Sequence, residues 1–568
     1  MANPATVSSA PRRTSGLWLE AIGAALRRRL RTEWFGSPLH LALLAGPRPE
    51  GFAAFPANPR PANANAGRAL LEGRFTLAGD TLNLGPGADP WNRPSPSLAF
   101  AAALHGFAWL GDLMTQGEAG AREALRLMSA WRAVFGGWNA FSWSGAVLER
   151  RTFNLACAAA ALSEHAEDEE AQALPDLLAR HVRQLLIVRD PAERAAERAA
   201  VAACAAATLS GPAGERLLDR ACVGLERRIV AAVLPDGTHV SRSPEAGLEL
   251  LFDLIALDDA LAQRNLETPD EAARATDRLG AALRLFTLAD GGLACFQGGE
   301  AASAVRVGAA RARQEPGAAV PTRLTHGGYE RLDGGQIEVL VDAGVPASGA
   351  YSVAACAQPA AIEVTCGGER LITNAGWSPR APSAQALRLT AAASTVSLGR
   401  ESAGAPLSGW RAKVLGARLV AGAREVEVRR TNAEAGVWLD VVHDGWVRGL
   451  GLLHERRLYL DLDADELRGE DKFTSVRATR PRVIPYEARF HLPPEVSAAV
   501  ARDNKSVLLR GRSATGWWLR NDAAEVRVEP ATCFRDGRQV PTRQVVLMGH
   551  IRADKGGRLR WKLARAEG

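Results

Sequence analysis

Two hydrophobic periods divide the chain into a helical part and a strand part. From about residue 96 to residue 286, apolar residues recur at helical spacing in segments such as REALRLMSAWRAVFG and AGERLLDRACVGLERRIVAAVL. From His326 the period changes to two, as in GGQIEVLVDAG and LLHERRLYLDLD. Helices followed by strands predict two distinct domains. The helix pairs are compatible with a bundle, a solenoid or a closed toroid, and the strands predict an antiparallel sandwich of two sheets.

The flanking segments set the predicted domain limits. Residues 1–15 have a composition typical of disorder, and residues 37–97 are rich in Pro, Gly and Asn. We predict that residues 37–97 wrap the helices as loops. The predicted units are an N-terminal tail and basic helix over 1–40, a helical domain over 41–310 and a sandwich over 325–568.

The segment GLWLEAIGAALRRRLRTEWFG is amphipathic and basic. One face carries Leu17, Leu19, Ile22 and Leu26, and four arginines cluster at the end: Arg27, Arg28, Arg29 and Arg31. This pattern is consistent with peripheral contact with a membrane surface. A helix that packs on its own domain is the favoured interpretation.

Composition excludes some classes of protein. The net charge of +6 is a mild basic bias over 568 residues, and it suits an anionic partner. We predict no nucleic-acid partner, because no helix-turn-helix, zinc-finger or RNA-recognition motif accompanies the basic residues. No apolar run approaches the ~18 residues of a transmembrane helix. The first residues do not resemble a signal peptide, which favours the cytoplasm, with the periplasm or inner membrane as second choice.

The loop before an apolar helix in LPDGTHVSRSPEAGLELLFDL is the first candidate site. Ser243 is a good N-cap, and Pro244 suits the first helical position. The preceding loop carries His239, a candidate acid or base near neutral pH, and Arg242, a candidate carboxylate ligand. The alternative is that both residues only fix the loop by hydrogen bonds.

Several segments together resemble the heparinase II/III-like family of polysaccharide lyases, in an alphaproteobacterial branch. They include DPWNRPSPSLAFAAALHGFAWLGDL, LPDGTHVSRSPEAGLELLFDL, IEVTCGGERLITNAG and HDGWVRGLGLLHERRLYLDLDADELRGEDKF. The resemblance covers roughly residues 75 to 565. It implies a multidomain α and β fold: an N-terminal (α/α) toroid of helical hairpins, then a C-terminal antiparallel β-sandwich, with the substrate cleft between them. It also implies β-elimination on a uronic-acid-containing polysaccharide. That reaction requires donors for the uronate carboxylate, a base for the C5 proton and an acid for the leaving oxygen.

The chain departs from the residues that the family uses for this reaction. The family's helical-domain Tyr is expected just after Ser243, where the chain has Pro244-Glu245-Ala246-Gly247. The sandwich His is expected near Cys356, and a second family His is replaced by Ala393. The standard acid–base set therefore does not carry over, and Cys356 is interpreted as a buried thiol.

The remaining candidates come from the matched segments. The predicted catalytic residues are His239, Arg242 and His454. The predicted substrate-binding residues are Asn92, Arg93, Arg151, Asn154 and Arg456. For Asn92 and Arg93 the preferred alternative is structural hydrogen bonding within a Pro-rich loop, and for Arg151 and Asn154 pairing with a neighbouring helix is an equal alternative. Strand alternation places His454 and Arg456 on one face and Glu455 and Arg457 on the other. Arg468, Glu470 and Asp471 are predicted to form a buried, salt-bridged turn. No metal ligands are predicted and no cofactor is expected. The resemblance leaves a structural divalent metal open, because some relatives contain one.

Two functions remain open at this point. The first is a polysaccharide lyase-like enzyme, a carbon–oxygen lyase that cleaves an acidic polysaccharide or oligosaccharide in the cleft. The second is a non-catalytic glycan-binding or envelope-associated relative. Hydrolysis is a third class, and it would need two carboxylates placed across the cleft.

Overall fold

The computed structural model describes residues 16–379, 384–477, 481–513 and 515–566. The predicted disorder of residues 1–15 lies outside these ranges. The predicted domain limits stay predictions, although the helices extend to Arg311 and the strands of the sandwich begin at Arg323.

The first ninety residues are more regular than their composition indicates. They contain α1 (Gly16–Phe35), α2 (Pro38–Ala45), α3 (Ala64–Leu71) and the hairpin of β1 (Arg74–Leu77) and β2 (Asp80–Asn83). The prediction of loops over 37–97 was therefore wrong for α2 and α3. Side-chain caps on both helices, from Ser37 and Asn63, explain why helices form in a Pro- and Asn-rich stretch.

The helical part closes around one Ala-rich helix. Its elements are α4 (Leu98–His105), α5 (Leu110–Met114), α6 (Gly117–Phe135), α7 (Gly145–His165), α8 (Asp168–Ile187), α9 (Ala195–Ala207), α10 (Gly211–Cys222), α11 (Leu225–Ala232), α12 (Pro244–Ala262), α13 (Asp270–Phe286) and α14 (Ala304–Arg311). Helix α9 is buried from Ala196 to Ala207 and contacts α7, α8, α10, α11 and α12. Its small side chains allow this close packing, and the predicted toroid of helical hairpins is confirmed.

In the described residues, the strand part forms three sheets. One sheet contains β3 (Arg323–Leu324), β4 (Tyr329–Gly334), β5 (Ile337–Asp342), β6 (Ile362–Cys366) and β7 (Glu369–Ile372) in that order. A four-stranded sheet has the order β17-β18-β13-β8, built from β8 (Val396–Leu398), β13 (Val483–His491), β17 (Glu525–Arg535) and β18 (Arg538–Arg552). The eight-stranded sheet has the order β14-β15-β16-β19-β12-β11-β10-β9. Its strands are β9 (Val426–Ala433), β10 (Gly436–His443), β11 (Leu452–Asp461), β12 (Glu466–Ser475), β14 (Ser497–Val500), β15 (Ser506–Arg510), β16 (Gly516–Asn521) and β19 (Gly557–Arg565).

The two smaller sheets share one layer, joined by a bridge between Thr373 and His491, and the eight-stranded sheet is the other layer. Apolar residues of all three sheets, such as Val339, Ala488 and Leu458, form the core between the layers. The predicted β-sandwich is confirmed.

The five-stranded sheet is buried on both faces. Strands β5 and β6 have no exposed residue, because one face packs in the sandwich core and the other on the toroid. The toroid-facing side carries Leu340 together with polar residues such as Glu338, Asp342 and Glu363. The contact between the two parts is therefore partly ionic.

Of two short helices within the strand part, the first contacts the N-terminal helix. Helices α15 (Gly409–Leu415) and α16 (Val447–Leu450) lie between strands. Helix α1 packs against α15, where Ala21 is buried with Leu407 and Leu415. Arg28 donates to the Lys413 carbonyl at 3.0 Å, and Arg418 pairs with Glu20 at 2.7 Å. The N-terminal helix is therefore fixed to the sandwich, which leaves its opposite face toward solvent.

Candidate functional site

The loop that precedes α12 contacts the sandwich through Arg242. Arg242 has φ +65, and its guanidinium pairs with Asp342 and donates to the carbonyls of Gly327 and Gly328. Tyr329 returns a hydrogen bond to the Arg242 carbonyl at 2.6 Å. Arg242 is thus a buried clamp between the toroid and the sandwich. Arg242 was predicted to bind a substrate carboxylate, but in this structure its guanidinium binds the carboxylate of Asp342.

His239 lies on the same loop, and its ring is oriented by Ser241. The His239 Nδ1 accepts the Ser241 backbone N–H at 3.2 Å, so the proton of the neutral ring lies on Nε2. Burial and the nearby Arg194 guanidinium lower the pKa of His239 to about 3, which keeps the ring neutral at physiological pH. The buried Nε2 has no hydrogen-bond partner within the described residues. It lies 3.9 Å from Glu197 Oε1.

Glu197 is a charged residue within the Ala-rich helix α9. Burial raises the pKa of Glu197 most strongly, Arg194 lowers it and Glu149 raises it further. The net result is a pKa of about 7. Its Oε2 is buried and, like His239 Nε2, has no partner in the described part of the chain. A donor and an acceptor that are both buried and unpaired, on two side chains whose nearest polar atoms are 3.9 Å apart, define a site for a polar ligand group or a water molecule.

Arg194 and Glu149 form the floor of this site. Arg194 pairs with Glu149 and lies 3.6 Å from Glu197. Burial by itself raises the pKa of Glu149, but Arg194 and Arg150 outweigh burial and lower it. The array extends through Arg150, which donates to Asp253 on α12 at 2.6 Å and 3.0 Å.

Tyr351 is the residue of the sandwich that lies next to His239. It lies in a short 3-10 turn, Gly349–Val353, which contacts the Ala192–Arg194 turn before α9. The Tyr351 ring meets the His239 ring edge to face, with centroids 6.2 Å apart. Burial raises the pKa of Tyr351, and the carboxylates of Glu197 and Glu193 add to the effect. The hydroxyl is therefore protonated at neutral pH.

The group of Arg194, Glu197, His239 and Tyr351, which we call the junction site, has the components of acid–base chemistry. Glu197 is a base whose pKa lies near neutral pH, Tyr351 is an acid, and Arg194 and His239 are donors for an anionic group. The side chains of Glu197 and His239 are each only 2% exposed. A polysaccharide therefore does not contact these two side chains in this arrangement of the chain.

The other predicted site residues lie elsewhere. Arg151 is buried, donates to the carbonyls of His105 and Ser142, and stacks over Trp131. Burial lowers the pKa of Arg151 to about 9. Asn154 donates to the Gly106 carbonyl at 2.9 Å. These contacts tie α7 to the end of α4, and the substrate-binding roles of Arg151 and Asn154 stay predictions.

Asn92 and Arg93 occupy an exposed turn before α4. Asn92 donates to Asp89 at 2.7 Å, within its own loop. This contact is the local structural hydrogen bond that such a loop commonly contains. A role of either residue in binding substrate stays a prediction.

His454 and Arg456 point into the sandwich core. They share one face of β11, as strand alternation predicts, and both are fully buried. His454 and Arg456 bind Asp471 at 2.8 Å and 2.7 Å, and His443 meets His454 at 2.9 Å. No solvent path reaches these atoms in this conformation. The geometry explains a structural role, and the predicted catalytic and binding roles are not supported by any contact with the junction site.

The LRGEDKF segment is a strand and not the predicted turn. It lies within β12, and only Asp471 of the three candidates is buried. Arg468 and Glu470 point to the outer face of the sheet, because alternate residues of a strand face opposite sides.

The stretch where the family has its helical-domain Tyr contains one acid, Glu245, which is buried and accepts the Glu300 N–H at 3.0 Å. Ala246 lies in the first turn of α12, and its N–H donates to the Ser243 cap. Cys356 is buried, and burial raises the pKa of its thiol to about 11. Ala393 is buried as well. Within the described ranges, no group of three or more His, Cys, Asp or Glu side chains is arranged to hold a metal ion.

The fold and the junction site define a toroid–sandwich protein. Residues 316–562 match the family described as heparinase II/III-like, C-terminal. Over 558 residues the chain is 50% identical to FtsZ-localized protein C of Caulobacter vibrioides (strain NA1000 / CB15N), which covers 97% of this chain and 96% of that protein. A crystal structure of heparinase III aligns with a TM-score of 0.66 at 14% identity, covering 100% of this chain and 94% of the other. Heparan sulfate lyase HepC from Pedobacter heparinus aligns with a TM-score of 0.56 at 13% identity, covering 98% and 92%. The chain belongs to the heparinase II/III-like family.

Sequence reasoning missed most of the junction site. It identified His239 but not Arg194, Glu197 or Tyr351. One signal was available: Glu197 lies next to the apolar, Ala-rich run AAVAACAAATL, and burial of an acid is unfavourable unless a cation or hydrogen bonds compensate it. Tyr351 had no comparable signal, since only the packing of the sandwich on the toroid brings it to His239.

Proposed function

We propose that the chain acts at a membrane surface as a peripheral, envelope-associated member of the heparinase-like family. On this proposal it associates with FtsZ, as the name of its Caulobacter relative says of that protein. Support comes from the exposed face of α1. Leu19, Ile22, Leu26 and Leu30 form one apolar stripe along the helix, and Leu19 is 81% exposed.

The arginines of α1 fit the same orientation. At about 100° per residue, Arg27 and Arg29 flank the apolar stripe on either side. Such residues extend to anionic headgroups while the apolar stripe enters the acyl boundary. Arg28 and Arg31 face the protein instead, through the Lys413 carbonyl and Asp190. The division of the four arginines supports insertion of one defined face.

Helix α2, which follows α1 in the chain, carries two more exposed leucines, Leu39 and Leu43. None of the described helices is long and apolar enough to cross a bilayer. The proposal is therefore surface attachment through α1 and α2.

The test uses purified full-length protein with vesicles and FtsZ. We expect the protein to float with vesicles of phosphatidylcholine and phosphatidylglycerol, to float less with phosphatidylcholine alone, and to bring FtsZ with it. Absence from both kinds of vesicle would contradict the membrane proposal. Flotation without FtsZ would contradict only the association with FtsZ.

The junction site favours a second candidate function, the β-elimination of an acidic polysaccharide. Glu197 would take the proton, Tyr351 would protonate the leaving oxygen, and Arg194 with His239 would hold the carboxylate. This set differs from the family's Tyr and His, which are absent here. The test is ultraviolet absorbance of an unsaturated uronate with a panel of acidic polysaccharides. Activity in the parent that is lost in Glu197→Gln and kept in Glu193→Gln would support this function, and no product on any substrate would reject it.

A further inference from the structure

The outer face of the eight-stranded sheet carries an unusual row of side chains. Trp438, Tyr459, Arg468, Lys562 and Arg520 lie directly opposite one another on β10, β11, β12, β19 and β16. Directly opposed residues share a face, so the row runs straight across five strands. The same residues line a concavity of about 630 Å³. We call Trp438 and Tyr459 the aromatic pair and the other three residues the cationic row.

The cationic row is only partly balanced by acids. Glu466 pairs with both Arg468 and Lys562, and Asp461 pairs with Arg468 at 3.3 Å. The Arg520 side chain makes no hydrogen bond or salt bridge within the described residues, although its charge influences Asp503. Like charges directly opposite each other destabilise a sheet. Acids of the sheet offset Arg468 and Lys562, so Arg520 is the cation of the row that is left for an anion from outside the sheet.

In the neighbouring row on the same face, positive and negative side chains alternate and balance one another. Asp440, Arg457, Glu470 and Arg560 oppose one another in alternating sign. Arg457 pairs with Asp440 at 2.6 Å and Arg560 with Glu470 at 2.8 Å. The sheet thus pairs every charge of one row and leaves Arg520 of the adjacent row without a side-chain partner in the described residues. This contrast indicates that the Arg520 end of the cationic row is available to an anion supplied by a ligand.

The aromatic pair specifies a second property of that ligand. The two rings stack with centroids 4.2 Å apart, so Tyr459 covers one face of Trp438. Trp438 remains 43% exposed. An exposed aromatic face attracts C–H groups with partial positive charge, which the faces of sugar rings present. Arginine forks bind carboxylate and sulfate groups.

We propose that this face of the sheet binds an acidic oligosaccharide. A sugar ring packs on Trp438, and the acid groups of the following units lie along Arg468, Lys562 and Arg520. The site lies on the outer side of the sandwich, away from the toroid that contacts the other layer. It does not depend on membrane attachment.

The spacing of the row argues against an extended acidic peptide. Neighbouring strands place the cations about 4.8 Å apart, whereas same-face side chains of an extended peptide repeat every ~6.7 Å. Single-stranded nucleic acid is a poorer match as well, because its successive bases stack on successive exposed aromatic rings. Here the second ring is covered by the first and by Arg468, which lies 5.6 Å from the Tyr459 centroid.

The experiment is calorimetric titration of the full-length protein in lipid-free buffer. The ligands are an oligogalacturonate, which carries carboxylates, and a heparin oligosaccharide, which adds sulfates. Both are measured at low salt and at about 0.15 M salt. The two ligands distinguish carboxylate from sulfate as the preferred acid, and binding of either supports the proposal.

Two variants and two matched controls locate the site. We expect Trp438→Ala to weaken binding ~5-fold, the value of one aromatic contact. Arg520→Gln combined with Lys562→Gln should weaken it ~10-fold and reduce the salt dependence. Trp410→Ala, at a tryptophan 40% exposed on α15, and Arg560→Gln, in the balanced row, should stay within about 2-fold of the parent. All these side chains lie at the surface, and circular dichroism checks that each variant folds.

Three results would overturn the proposal. One is no binding of either oligosaccharide by the parent protein. Another is equal weakening by the variants and the controls. The third is tighter binding of polyglutamate, an oligothymidylate or anionic vesicles at the same residues, which would assign the surface to a different partner.

Discussion

Replacement of two leucines on the exposed stripe of α1 tests the membrane proposal most directly. The variant is Leu19→Gln combined with Leu26→Gln. The parent side chains are 81% and 58% exposed, so neither contributes much to packing within the protein. The change should leave the free energy of unfolding within about 0.5 kcal/mol of the parent value.

The expected loss of membrane affinity follows from the exposed fractions. Full burial of a leucine side chain is worth about 1.5–3 kcal/mol. Scaled by exposure, insertion of the two side chains stabilises the bound state by about 2–4 kcal/mol. The lower end applies to a helix at the headgroup boundary, and it corresponds to a ~30-fold loss of affinity.

The assay is flotation with vesicles of graded anionic content. A matched control, Val223→Gln, changes an exposed apolar residue between α10 and α11 and should bind as the parent does. Arg27→Gln combined with Arg29→Gln should reduce affinity only for anionic vesicles, by about 1 kcal/mol per residue. Parent-like flotation of the leucine variant would refute the reasoning, because the apolar stripe would then contribute nothing.

Three further predictions concern stability and its dependence on pH. Arg242→Ala should lower the free energy of unfolding by about 3–5 kcal/mol in chemical denaturation, because it leaves Asp342 buried without its cation; an unchanged midpoint would contradict the clamp. Glu197 has a folded-state pKa raised from 4.5 to about 7, so its contribution to stability is present below about pH 4.5 and is lost as the pH rises through 7. Glu197→Gln should therefore flatten the stability profile between pH 5 and 8, with a gain on the order of 3 kcal/mol at pH 8, and a parallel profile would reject the raised pKa. Burial alone would raise the pKa of Asp471, but Arg456 and His454 outweigh burial and hold it below its usual range. The contribution of Asp471 to stability is therefore present above about pH 4 and is lost as the pH falls. Asp471→Asn should unfold at markedly lower denaturant concentration, and a parent-like midpoint would argue against the buried network.

The local structure was largely readable from the residues. Period and capping predicted the helix after Ser243, which begins at Pro244 with the Ser243 side chain as its cap. The change of period near His326 predicted the move from helices to strands. These features depend on contacts between near neighbours in the chain, so the sequence contains their signal directly.

The site depended on long-range packing. Alternation paired His454 with Arg456 but did not say which face of β11 is buried, and the answer came from the opposite layer of the sandwich. Likewise, burial of the five-stranded sheet on both faces follows from the toroid packed against it, which no strand period records. Glu197 and Tyr351 are 154 positions apart in the numbering, and both lie near His239 because the turn before α9 contacts the turn after β5. The sequence by itself determined most of the helices and strands and their order, but not α2, α3 or the strand at LRGEDKF. Only the tertiary structure decided which polar groups are buried and which of them pair with one another, because desolvation and ion pairing depend on every element packed around a group.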